Sequence, residues 1–93
     1  KQEPEQRSHP TQKPVALMEW CLGFLPNAKT ILDPFAGSGT TLVACQRMGR
    51  AGTGVELDEE YWRIACERVH KAWQQPDLLL PETQQKPVQQ VLL

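Results

Sequence analysis

The chain has 93 residues, 40% hydrophobic and 23% charged, with a net charge of −1. That length fits one small domain, able to bury only roughly 60–65% of its unfolded surface. The charge excludes the basic footprint of a self-sufficient nucleic-acid binder, and there is neither a bilayer-spanning apolar run nor a leader pattern, so the expected location is the cytoplasm.

Lys1 to Ser8 is polar, lacks periodicity and reads as a tail or linker. A chain starting at Lys1 rather than Met suggests part of something longer, or a chain that has been trimmed. "HPTQKP", His9 to Pro14, is held extended by its two prolines, and Pro14 suits a helix start. Helical spacing then covers Val15 to Leu25, with Leu17, Met18, Cys21, Leu22 and Leu25 on one face, until Pro26-Asn27 stops it. Lys29 to Leu32 reads as a short strand that runs into "DPFAGSGTT", Asp33 to Thr41. Thr41 to Met48 is helical, and Gly49 is its expected C-terminal stop. Ala51 to Leu57 is a second strand. Asp58 is a good N-cap, and Glu59 and Glu60 complement the dipole of a helix reaching about Trp73. Tyr61, Ala65, Val69 and Ala72 form its inner face, and Arg68, His70 and Lys71 suit its C-terminal end. From Gln74 onward the chain is rich in Gln and Pro and reads as a tail, although Val88 to Leu93 has the makings of a short strand.

The order helix, strand, helix, strand, helix implies an α/β fold with a parallel sheet. Cys21, Cys45 and Cys66 lack C-x-x-C spacing and fall at apolar-periodic helix positions, so all three are expected to be buried, reduced core thiols; no metal site is expected.

A strand, a glycine loop and a helix bring backbone N–H groups to the carboxyl end of a parallel sheet, where open α/β folds bind nucleotide-like ligands. No Lys follows Gly39, which argues against a triphosphate loop, and the third glycine of a dinucleotide fingerprint is missing. Asp33 before the loop would repel a pyrophosphate. Glu56, ending the second strand, is placed to accept from ribose hydroxyls. Loop and acid together suggest a nucleoside ligand without phosphate, and S-adenosylmethionine fits. The plainer alternatives are a tight turn at Gly37 and Gly39, a turn-capping Asp33, a solvated Glu56 and a core Phe35.

"HPTQKP", "DPFAGSGTT" and "GVELDEEYWRIACERV" together resemble three consecutive motifs of DNA amino-methyltransferases, which methylate N6 of adenine or N4 of cytosine from S-adenosylmethionine. The order is similar to that of the beta-type members, in which the catalytic half comes first. The resemblance covers His9 to about Trp73, some two thirds of the chain, and implies part of a Rossmann-like methyltransferase fold, with residues 9–73 as the cofactor-binding part and 74–93 as the tail. It implies that Asp33, Phe35, Ala36, Gly37, Ser38 and Gly39 form the main cofactor loop, with Thr40 and Thr41 opening the helix beneath. By the same resemblance Glu56 holds the ribose and Leu57 lies against the adenine. His9, Thr11, Gln12 and Lys13 border the methionine end, and Lys13 pairs with its carboxylate; the plain alternatives are a solvated Lys13 and a His9 that is a loop residue only.

The family's catalytic motif, an Asp, Asn or Ser followed by Pro-Pro and an aromatic, has no counterpart, for the chain contains no Pro-Pro. Nor does a target-recognition region precede "HPTQKP". The resemblance therefore implies a cofactor-binding portion that meets DNA only in the complete enzyme and either joins the missing half or self-associates through a bare sheet edge. The alternative is a non-catalytic cofactor-binding or protein-interaction module.

Overall fold

A computed structural model describes residues 12–75 and 88–93. Three helices pack on a parallel sheet: α1 (Val15–Leu22), β1 (Thr30–Asp33), α2 (Thr40–Arg47), β2 (Ala51–Val55), α3 (Glu59–Gln74) and β3 (Gln89–Leu92). The strand order is β1-β2-β3. Thr30 pairs with Ala51 and Asp33 with Gly54, while Gly52 pairs with Gln89 and Val55 with Leu92.

β3 is the main addition to the expected order. It lies in the stretch read as tail, and it is fixed by contacts remote in sequence. The Gln89 side-chain amide donates to the Arg50 carbonyl at 2.7 Å, and the Trp62 indole Nε1 on α3 donates to the Val91 carbonyl at 3.1 Å. Glu56 N–H donates to the Leu92 carbonyl on the inner side of β3. Carbonyls alternate along a strand, so Trp62 occupies the outer edge.

α1 is shorter than the helical spacing predicts. It ends at Leu22, and single turns through Gly23 and Phe24 follow. Its buried side is also different: Val15 and Leu22 are buried and Met18 packs against them, whereas Leu17, Cys21 and Leu25 are exposed. The helix is apolar on both sides, so spacing alone did not fix which side faces α2. Only Cys45 of the three free thiols is buried; Cys66 is half-buried and Cys21 exposed. Burial pushes the Cys45 thiol up to about 11, with Asp33 reinforcing and Arg50 opposing the shift.

α3 forms as its sequence predicts. Asp58 Oδ1 accepts from Glu60 and Tyr61 N–H at 2.9 and 3.2 Å, and Ala65 and Val69 are buried. The core is one cluster in which Leu42, Ala44 and Cys45 of α2 lie between α1 and the sheet, with Ile31 and Val91 packed against it. α2 and α3 cover the sheet face that carries Ile31, Gly52, Gly54 and Val91. The opposite face, with Leu32, Thr53, Val55 and Leu92, has no helix on it among the described residues.

Candidate functional site

The carboxyl ends of β1 and β2 hold a loop that is stitched down at nearly every residue. Asp33 ends β1, and its Oδ1 accepts from Phe35 N–H at 3.0 Å, which sets the turn out of the strand. Ala36 N–H donates to the Val55 carbonyl at 2.9 Å, tying the loop to the end of β2. Gly37 N–H donates to Glu56 Oε1 at 2.8 Å, while Glu56 Oε2 accepts from Asp58 N–H at the same distance. One carboxylate thus joins the loop to the start of α3.

The two glycines differ in what they do. Gly37 has φ 55°, and a Cβ there would meet nothing within 4 Å, so its backbone faces open space. Gly39 has φ 85°, but a Cβ there would stand 3.0 Å from the Ala65 Cβ. It lets α3 pack tightly against the start of α2.

Above the loop lies an open cavity of about 360 Å³. Gln12, Lys13 and Met18 wall it on the α1 side, and Asp33, Phe35 to Ser38, Thr40 and Thr41 on the loop side. Phe35 is 88% exposed and stands at the rim rather than in the core. Gln12, 3% exposed, is built into the wall.

The fold therefore gathers Gln12, Lys13, Asp33, Phe35, Ala36, Gly37, Ser38, Thr40 and Thr41 around one space. Glu56 reaches it through Gly37, Gly39 is turned to α3, and Leu57 is exposed just beyond β2. His9 and Thr11 lie outside the described residues.

The arrangement sets carboxylates, open backbone and one ammonium around or beside one cavity. Acids stand at two strand ends, the loop floor is open at Gly37, and Lys13 lies across the cavity. No group of three or more metal-ligating side chains occurs among the described residues, and no described helix is long and apolar enough to cross a membrane.

Residues 1–67 match the family described as DNA methylase. The chain belongs to that family. It is 42% identical over 64 residues to the type II methyltransferase M.HpaI of Haemophilus parainfluenzae, an overlap covering 68% of this chain and 20% of that protein. It is 44% identical over 85 residues to the putative methylase YubD of Escherichia coli, covering 82% of this chain and 37% of the relative. With the type II methyltransferase M2.DpnII of Streptococcus pneumoniae it shares 47% identity over 62 residues, 66% of this chain and 23% of that one. The chain thus spans between a fifth and little more than a third of the length of these curated relatives. No solved structure matches it.

Two residues of the cavity and its loop escape sequence reasoning. Met18 counts as core by its spacing, yet it also lines the cavity. Arg68 reads as a helix-end charge, yet it reaches back to the loop, with Nη1 2.8 Å from the Ser38 carbonyl. No local pattern announces a contact across thirty positions.

Proposed function

We propose that this chain is the S-adenosylmethionine-binding portion of a DNA methyltransferase that acts on the exocyclic amino group of adenine (N6) or cytosine (N4). The observation that carries the reading is the open backbone at Gly37, with Asp33 beside it and Lys13 facing it across one cavity. When bound, the cofactor supplies an electrophilic methyl group on a sulfonium. The chain's own residues do the holding. Asp33 presents a carboxylate to the cationic end, Glu56 presents acceptor lone pairs to the ribose hydroxyls, and Lys13 pairs with the ligand carboxylate. Gln12 and Met18 narrow the cavity and exclude water from one side.

The same reading gives the uncovered sheet face and the outer edge of β1 a purpose. β1 has no partner strand on that side among the described residues, and Leu32 is 69% exposed. Parallel sheets are normally covered on both faces. The remainder of a methyltransferase, bearing the groups that hold the target base, completes the sheet there; alone, the chain self-associates through this surface.

Calorimetric titration of S-adenosylmethionine into the chain, beside Asp33→Ala and Glu56→Ala, tests the reading. Saturable binding by the parent, weakened by about 1–3 kcal/mol in each variant that circular dichroism shows to be folded, is expected. A folded parent that takes up no cofactor would overturn it.

A further inference from the structure

We infer that Arg68 is a positioning residue for the glycine loop, fixing its inner side from α3 so that its outer side is preformed for the ligand. The inference rests on the S-adenosylmethionine reading above. Arg68 Nη1 donates to three oxygens: the Ser38 carbonyl at 2.8 Å, Ser38 Oγ at 2.9 Å and Thr40 Oγ1 at 3.1 Å. Ser38 is 3% exposed and Thr40 7%, so water has little room to replace the guanidinium. Without it, buried acceptors lose a charged donor.

The loop is thereby gripped from two directions. Glu56 holds Gly37 from the end of β2, and Arg68 holds Ser38 and Thr40 from α3. Gly37, at the first grip, and Ala36 just before it line the cavity together with the gripped Ser38 and Thr40, and carry the backbone a ligand would approach. The grip also sets polarity. Each hydroxyl that accepts from Arg68 keeps its own O–H hydrogen for a second partner, and Ser38 and Thr40 both line the cavity. Helix stability alone does not favour this placement. α2 begins at Thr40, and a cation near a helix N-terminus opposes the dipole.

The test is calorimetry with S-adenosylmethionine on the chain as wild type, Arg68→Met and Arg68→Lys, with the melting temperature of each. Met retains much of the stem and has no donor; Kd should rise about tenfold or more at a temperature where the variant is fully folded. Lys brings an ammonium with three donors and should recover most of that loss. A merely structural Arg68 would lower the melting temperature and leave Kd unchanged well below it, which overturns the inference while the cofactor reading stands. A folded wild type that does not bind overturns both. Should Arg68→Met fail to fold, Arg68→Leu, which removes every donor and keeps a shorter apolar stem, is the second variant, and an unchanged Kd there overturns the inference equally.

Discussion

The two faces of the sheet are built from alternate residues of the same three strands, yet they are unlike. On one face Ile31, Gly52, Gly54 and Val91 meet α2 and α3 at close quarters. On the other, Leu32 and Leu92 are exposed. Parallel sheets are normally covered on both faces, and under the proposed function the remainder of a methyltransferase covers the second one. The covered face carries the chain's own stability. The other face leaves apolar surface at Leu32 and Leu92 uncovered among the described residues.

The comparison is broken most severely at Gly54. A Cβ there would stand 2.8 Å from Leu42 Cδ1 and 2.9 Å from the Ala36 Cβ, so it wedges β2 away from both the core and the loop. Gly54→Val should destabilise by about 3 kcal/mol in urea unfolding. A loss under about 1 kcal/mol would show the covered face to be loosely packed.

A smaller effect comes from Cys45 beneath the same face. Its folded pKa lies near 11, above the ordinary 9.0, so the unfolded chain loses this proton first as pH rises. The thiol's contribution is fully present below pH 9 and fades between pH 9 and about 11. Parent and Cys45→Ala should therefore differ in their stability slopes across that window, by on the order of 2 kcal/mol in total. Parallel curves would mean that the thiol is better hydrated than its burial implies.

The smallest stability change, and the sharpest contrast, is expected on the uncovered face. Leu32→Thr combined with Leu92→Thr should alter unfolding free energy by no more than about 0.5 kcal/mol while reducing self-association in sedimentation. A parent that sediments as a monomer at every concentration would remove the contrast.

How much of this was readable beforehand follows the distance between partners. α3 was readable because its cap, its first-turn acids and its buried stripe of Ala65 and Val69 are all local. The loop's position was readable because its two glycines and an acid stand between an apolar strand and a helical stretch. β3 was not assigned, since Gln89 and Gln90 favour no strand and are held by Arg50 and the β2 ladder far upstream. The orientation of α1 was hidden because Leu17 and Trp20 are as apolar as Val15 and Leu22. Arg68 was hidden because its partners lie thirty positions earlier.

Arg50 has a consequence for the order in which the molecule assembles. It is almost wholly buried, and its Nη1 donates at 2.9 Å to the carbonyls of both Leu22 and Leu25. α1 has no side-chain cap at its start, no acid in its first turn and no base in its last. Eight such residues make a poor helix in isolation. Its closing carbonyls wait for an arginine that is in place only once α2 has turned into β2. α1 should therefore be a late-forming and early-melting element, and the wall it brings to the cavity, with Gln12, Lys13 and Met18, would be the last part of the site to set.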